Sequence, residues 1–403
     1  MMRSVKLLIK EDFEIKNYTS FKIGGKIKKV YFPETIEEFA QILKDEPNIF
    51  VGGNWSNTLV SSYGYAYSVV STLKLDKIEE QRAGGQKGKS VTVESGKWKV
   101  ESLSSHAPSP DGEGWDGVIS NDNSEYSQEQ PTDTNFSTLQ PFNPSNENSL
   151  SSSPPTLLSS ISPHPNPPHP GRENATTASN FPFSTFNFQP TVKVCAGVKG
   201  PKLAQTVAEY GLSGLEFMIG FPGSVGGEVF MNAGAHGQSI SDVLKSAKIF
   251  DGKKIITLTK DEMEFSYRHS ICQDKNYIVL EAEFELTPDN PDKIKQKMAE
   301  NLEFRKNHQP SLSLPNCGSI FRNPENNSAG KLLDECGVKG LQIGGAKVWE
   351  NHANFIVNTG NATSTDVLQL MLEMKNRVKE KFNIELIPEI KFLGNNKNEV
   401  ELC

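Results

Sequence analysis

The chain has 403 residues, a formal net charge of -7 at pH 7 and 36 % hydrophobic residues. That length allows two or three domains. The acidic balance argues against a nucleic-acid or membrane-surface protein, and no apolar run of about 18 residues suggests a membrane span. The N-terminal MMRSVKLLIKEDFEI lacks the long apolar core and small-residue cleavage site of a signal peptide. The five cysteines (Cys195, Cys272, Cys317, Cys336, Cys403) are scattered and form no CxxC pair. A reduced, cytoplasmic protein without a structural metal is the expectation.

NYTSFKIGG (17–25) leads into a β-rich run, IKKVYFP. Thr35 opens a helix with Glu38 three residues on as a capping box, and Ile36, Phe39 and Leu43 form its apolar face. The short strand NIFV ends in GGNWSNTLV, from Gly52 to Val60. Strand, glycine-rich turn and polar Ser-Asn is the form of a phosphate-cradling loop, although many ordinary turns look like it. A strand is expected around Tyr67–Leu73.

From Gln81 to Pro190 the composition changes to Ser, Pro, Asn, Gly and Gln. Apolar residues there have no sustained period, so the segment cannot bury enough surface to offset its ordering entropy and reads as a disordered insertion. Within it, SVTVESGKWKV (90–100) has the pattern of a local hairpin. The insertion joins two strands, Tyr67–Leu73 and Val192–Ala196, that should be neighbours. A long surface loop adds little closure cost.

Order returns at VKVCAGVKGPKLAQTVAEYGL, read as a strand ending at Ala196-Gly197 and a helix from Pro201 to Tyr210, with Gly211 at its C-terminal cap. Next comes GLEFMIGFPGSVGGEVFMNAGAHG, from Gly214 to Gly237, with seven glycines. Glycine permits positive φ and carries no side chain to hold a ligand off, so successive N–H groups can point at a pyrophosphate. A set of tight turns between buried strands fits the same composition. AKIFDGKKIITL is a hairpin about Asp251-Gly252, Thr259 and Glu262 form another capping box, and NYIVLEAEFEL is a long strand. A helix from Asp292 to His308 reads as the bridge into a second globular unit. There, CGSIFRNP is a strand, AGKLLDECGVKG a short helix stopped by Gly337, and HANFIVNTGNA a strand and turn. Val367, Leu370, Met371, Met374 and Val378 form one helical stripe. IELIPEIKFLG (384–394) is the last strand, with Ile387, Glu389 and Lys391 on one face and Ile390 and Phe392 on the other. The tail NNKNEVELC is expected to fray.

Three polar residues stand inside ordered, apolar surroundings: Arg268 in SYRHS, Ser319 in GSIFRNP and Glu389 in IPEIKF. Singly, each has a plain reading as a surface or ion-pair arginine, a turn serine and a solvated strand glutamate. Spacing alone does not unite them.

From Gly211 the glycine stretch resembles, nearly residue for residue, the flavin-binding core of the UDP-N-acetylenolpyruvoylglucosamine reductase family, whose pattern reads close to GLSGLEFLAGIPGTVGGAVYMNAGAYG. The resemblance covers residues 17–79 and 191–394. It implies an α+β fold: an FAD-binding domain of the PCMH / vanillyl-alcohol-oxidase-like type over 1–80 and 191–288, interrupted by the insertion at 81–190, then a smaller α+β substrate-binding domain over 289–394 and a tail at 395–403. It implies non-covalent FAD, held by Gly52, Gly53, Asn54, Trp55, Ser56 and Asn57 in one loop. In the other it implies Gly220, Pro222, Gly223, Ser224, Gly226, Gly227, Asn232 and Gly234. The family commonly has glycine where Trp55 stands. No histidine lies in the first loop, so a covalent flavin link there is not expected.

The same resemblance implies NADPH as co-substrate, a UDP-linked enolpyruvyl sugar as substrate, and a place in cytoplasmic peptidoglycan precursor synthesis. No protein partner is evident. Ser319 matches the serine of GSxFxNP that protonates the substrate, Glu389 the PExxF glutamate and Arg268 the YR arginine. Cys317 is then a neighbour rather than the acid. Asn323, His352 and Asn354 sit in family-like motifs without an assigned role. The short passage before Ser319 fits the family's form without an extra tyrosine-bearing loop. Another FAD oxidoreductase of this fold, or an inactive remnant disrupted by the insertion, are the alternatives.

Overall fold

The computed structural model describes residues 7–81, 87–94, 97–101, 190–311 and 313–402. The expectation of disorder across the Ser/Pro-rich segment falls largely on 102–189, outside the described residues. The architecture is α+β, as expected.

The N-terminal part builds a four-stranded sheet in the order Leu8–Glu14, Lys26–Phe32, Tyr65–Ser71, Phe50–Gly52. The first pair is antiparallel and the others parallel. The helix Ile36–Asp45 covers it, burying Phe39, Ile42 and Leu43, while Ile36 stays partly exposed. Thr35 Oγ1 accepts from Glu38 N at 3.1 Å, but Glu38 Oε2 accepts from Glu34 N rather than from Thr35, so the expected box is displaced by one residue.

The larger sheet has seven antiparallel strands in the order Ile255–Thr259, Leu244–Phe250, Ile278–Glu285, Thr191–Cys195, Ile78–Gln81, Lys87–Glu94, Lys97–Glu101. The hairpin expected at 90–100 forms as the last two strands. Ile78–Gln81 pairs directly with Thr191–Cys195, Gln81 opposite Thr191. These strands, rather than Tyr65–Ser71, flank the long segment. One face of the sheet buries against the helix Gly200–Glu209 through Leu203, Ala204 and Val207, with Phe217, Met218, Val225 and Val229 from the glycine-rich stretch in the same core. The helix Pro291–His308, expected as a bridge, adds Ile294 and Met298 to this core, and Asn301 Nδ2 donates to Glu216 O at 3.0 Å.

The C-terminal part is a four-stranded antiparallel sheet in the order Asn316–Ser319, Phe355–Asn358, Ala346–Val348, Gln342–Ile343. Against it lies the helix Ser364–Phe382, whose stripe of Val367, Leu370, Met371, Met374 and Val378 is buried as its spacing predicts. Thr363 and Asp366 form its capping box. Phe21, Ile23 and Leu59 join this core from the N-terminal part.

The end of the chain departs from expectation. Only Lys391–Leu393 is strand, paired in parallel with Thr58–Val60. Pro388 lacks an N–H and cannot donate within a ladder. Pro388 nevertheless sits opposite Phe321 in an isolated antiparallel bridge that does not use its nitrogen: Arg322 N donates to Ile387 O at 2.9 Å and Glu389 N to Ile320 O at 2.8 Å. The alternating faces are lost, leaving Ile387 61 % exposed and the Glu389 side chain only 17 % exposed. The tail does not fray. It forms the helix Lys397–Val400, capped by Asn396, and buries Glu399.

Candidate active site

The two glycine-rich loops meet. Asn54 Nδ2 donates to Pro222 O, and a Cβ on Gly53 would lie 2.8 Å from Ser224 Oγ. The structure gives the glycines different work. Gly52 is required by packing, since a Cβ there would run into the Trp55 ring at 2.1 Å, and Gly226 because its Cβ would come within 2.7 Å of Ala196 Cβ. A Cβ on Gly227 would meet only Ser224 Oγ, at 3.9 Å, so backbone there stays approachable. Trp55 takes φ +56°, the left-handed region that glycine adopts without cost. It holds that conformation because its indole is 3 % exposed and stacked with Phe50 at 6.1 Å between centroids. The loop therefore keeps a glycine-like backbone while carrying a core side chain.

The rest of both loops is tied down. Ser56 O accepts from Ser20 Oγ at 3.3 Å. Asn57 Nδ2 donates to Glu389 O at 3.2 Å, and Lys391 N donates to Asn57 O at 2.9 Å, which fastens the first loop to the C-terminal segment. Asn232 takes φ +44°; its Nδ2 donates to Ser266 O at 2.9 Å and its Oδ1 accepts from Ser241 N at 3.0 Å. Gly220 faces Arg305, where a Cβ would lie 3.0 Å from the Arg305 Cδ.

Arg268 sits at φ +55° in a tight turn closed by Ser266 and His269, which exchange bonds at 3.1 and 3.2 Å. Its guanidinium donates to Gly234 O at 2.9 Å and lies 3.3 Å from Glu389 Oε1. Burial pushes the Glu389 carboxyl up, and the Arg268 and Arg322 cations only partly pull it back, so it sits above the usual carboxylate range. Arg268 and Glu389, separated by most of the C-terminal half of the chain, are thus a direct pair beside the second glycine loop.

Ser319 ends the strand Asn316–Ser319. The register against Phe355–Asn358 slips between Asn316 and Ser319, the mark of a bulge, with Gly318 at φ +82°. A bulge re-aims the following side chain. Among the described residues the Ser319 hydroxyl has no hydrogen bond to Arg268 or Glu389. It is linked to them through backbone, since Glu389 N bonds to O of the next residue, Ile320. Cys317 is 2 % exposed and burial pushes its thiol strongly up, which keeps it protonated and out of the chemistry.

Supporting residues emerge that sequence reasoning did not assign. Gln273 Nε2 donates to Arg268 O at 3.0 Å and Phe230 O at 3.1 Å, and its Oε1 accepts from Arg322 at 3.4 Å. It holds the Arg268 turn in place. Asn354 clamps Phe321 on both sides, accepting from its N–H at 2.9 Å and donating to its carbonyl at 2.8 Å. Asn323 Oδ1 accepts from Ala329 N, starting the next helix, and His352 Nδ1 accepts from Asn354 N. The Asn354–Phe321, Gln273–Phe230 and Gln273–Arg322 contacts leave no signal in local spacing, because each joins segments distant in the chain.

The arrangement offers a backbone-lined cradle able to receive an anionic cofactor, and next to it a cation paired with a buried carboxyl whose burial favours its protonated form. Among the described residues no cluster of His, Cys, Asp and Glu could hold a metal ion, and no helix is long and apolar enough to cross a membrane.

A family model described as UDP-N-acetylenolpyruvoylglucosamine reductase, C-terminal domain, matches residues 309–393. The UDP-N-acetylenolpyruvoylglucosamine reductase of Bacillus subtilis is 47 % identical over 208 residues, 51 % of this chain and 68 % of that protein. The Bacillus licheniformis enzyme of the same name is 50 % identical over 205 residues, 50 % of this chain and 67 % of its own. The crystal structure of the reductase from Thermus caldophilus superposes with a TM-score of 0.58 at 25 % identity, covering 96 % of this chain and 99 % of that one.

Proposed function

The chain belongs to the UDP-N-acetylenolpyruvoylglucosamine reductase family, and we propose that it reduces UDP-N-acetylglucosamine enolpyruvate to UDP-N-acetylmuramate for peptidoglycan precursor synthesis in the cytoplasm, with FAD as cofactor and NADPH as donor. The observation that carries this reading is the Arg268–Glu389 pair at 3.3 Å, which touches both glycine loops, Arg268 through Gly234 O and Glu389 O through Asn57 Nδ2. Residues 1–80 and 191–288 supply the flavin side and 289–394 the substrate side. The helix Pro291–His308 is followed almost at once by the strand Asn316–Ser319, which supports the family's shorter form.

FAD, when bound, supplies the redox chemistry by passing hydride from NADPH to the substrate. Gly53, Gly223, Ser224 and Gly227 present the close backbone that its diphosphate requires. Hydride addition to the vinyl carbon of the enolpyruvyl ether places negative charge on the adjacent carbon and its carboxylate. Arg268, always cationic, stabilises that charge. Glu389, held above the usual carboxylate range, completes the proton and charge balance around it. Ser319 donates its hydroxyl proton to the second carbon, and the alkoxide recovers a proton from solvent.

The test is the visible spectrum of the purified protein, read through anaerobic addition of NADPH and then of the UDP-linked enolpyruvyl substrate. Bleaching by NADPH and recovery of colour with that substrate is the expected result. A protein that bleaches without recovering acts on another acceptor, and one that takes up no FAD overturns the flavin assignment.

A further inference from the structure

Three glutamates are deeply buried among the described residues, and two are satisfied. Glu216 accepts from Ser213 Oγ at 2.5 Å and Gly214 N at 2.9 Å. Glu399 accepts from Ser61, Ser364 and Thr365. Glu228, 4 % exposed in the helix Val225–Phe230, has no hydrogen-bond partner on either carboxyl oxygen among the described residues. Leaving a charged carboxylate so placed is costly, and such a group stays neutral instead.

Its position is specific. A Cβ on Gly200 would lie 2.4 Å from Glu228 Oε1, and one on Gly223 2.9 Å from the same atom. Gly200 N donates to Gly223 O at 3.2 Å, so these two peptide segments roof the carboxyl. Gly223 stands between Pro222, bound by Asn54, and Ser224, faced by Gly53. The carboxyl therefore lies directly beneath the place where the glycine loops meet, shielded from solvent by their backbone.

The elements around it bring little charge. The start of the helix Gly200–Glu209 carries Lys199 and Lys202, and Lys202 interacts with Asp76. The segments 221–224, 196–198 and 52–57 carry no charged side chain. Burial alone acts on the carboxyl and pushes it up to about 8.

We propose that Glu228 is a positioning residue that must stay neutral for the glycine loops to hold the cofactor's diphosphate, so that flavin binding and Glu228 ionisation oppose each other. An ionised Glu228 would put a buried negative charge behind a backbone surface shaped to receive anions, where screening is weak. Mutual opposition means that the bound diphosphate raises the carboxyl further, and that binding takes up a proton once the free protein has lost it.

The inference rests on the flavin reading above. FAD affinity of the flavin-stripped protein, followed by quenching of flavin fluorescence from pH 6.5 to 9.5, tests it in wild type, Glu228→Gln and Glu228→Ala. In wild type the affinity should fall by up to about tenfold per pH unit above about pH 8. Glu228→Gln should bind as wild type does at pH 7 and lack that fall, with Glu228→Ala equally free of it. Calorimetric titration at pH 8.5 in two buffers of different ionisation enthalpy should show proton uptake in wild type and none in Glu228→Gln. Parallel pH curves for wild type and Glu228→Gln, or equal proton uptake, would overturn the inference while leaving the flavin reading intact. Absence of FAD binding by wild type at every pH would overturn both.

Discussion

Glu399→Ala probes a clasp built by the end of the chain. The Glu399 side chain is 1 % exposed and accepts from Ser61 Oγ at 2.5 Å, from Thr365 Oγ1 at 3.1 Å and from Ser364 Oγ. Ser61 and Ser364 are themselves fully buried. They are cross-linked through Ser62, whose N–H donates to Ser364 Oγ at 2.7 Å and whose Oγ accepts from Ser364 N at 2.9 Å. Removing the carboxyl leaves two buried hydroxyls without their acceptor, at about 1–3 kcal/mol each. Thr365, only partly buried, recovers water. The expected loss is about 3 kcal/mol, a large share of the roughly 5–15 kcal/mol that holds a domain folded. Glu399→Gln, which keeps one acceptor oxygen, should lose about half as much. Equilibrium urea unfolding of wild type and both variants measures this. A Glu399→Ala protein within about 0.5 kcal/mol of wild type would refute the clasp, as would a Gln variant no better than Ala.

Trp55→Gly relieves a left-handed backbone but empties a core position, so it should destabilise by several kcal/mol, while Trp55→Ala, which keeps the strain, should be worse by about 1 kcal/mol. Thermal or urea unfolding of the pair decides this, and an Ala variant as stable as the Gly variant would remove the strain argument. Glu228 also marks stability: its folded pKa of about 8 lies above its usual 4.5. The stability it contributes is therefore fully present below about pH 4.5 and lost as pH rises toward about 8, at up to about 1.4 kcal/mol per unit. In the flavin-free protein Glu228→Gln should thus gain on wild type by about 3 kcal/mol at pH 7 and far less at pH 5, and identical pH slopes in urea unfolding would contradict it. Ser319→Ala should keep flavin bound and reducible by NADPH while turnover of the enolpyruvyl substrate drops by about 10²-fold or more. Near-normal turnover would remove the proton-donor role.

Much of the molecule is legible in its residues because the forces involved are local. The Thr363–Asp366 box, the stripe from Val367 to Val378, the hairpin at Asp251-Gly252 and the stop at Gly337 all depend on side chains within a few positions of one another. The glycine loops and the motifs around Arg268, Ser319 and Glu389 are readable only through their resemblance to the reductase family, since local residue types alone fit ordinary turns, a surface arginine and a solvated glutamate equally well. After Asn383 alternation predicts one continuous strand, but the chain makes a single bridge at Pro388, opposite Phe321, before Lys391–Leu393 pairs with Thr58–Val60, because pairing is set by partners distant in sequence.

What remained for the tertiary structure to decide depends on residues far apart in the chain. Parallel pairing of Lys391–Leu393 with Thr58–Val60 sets Glu389 against Asn57 and next to Arg268. Packing against Phe50 lets Trp55 occupy a glycine's conformation. Burial makes the tail's Glu399 a structural acceptor and leaves Glu228 alone beneath the loops. Periodicity, caps and turn chemistry are properties of neighbouring residues, so the sequence by itself determined most elements and the loops, while its resemblance to the reductase family implied the chemistry. Ion pairing and desolvation are properties of the space between distant segments, so only the folded chain determined which carboxyl is paired, which is satisfied and which must remain neutral.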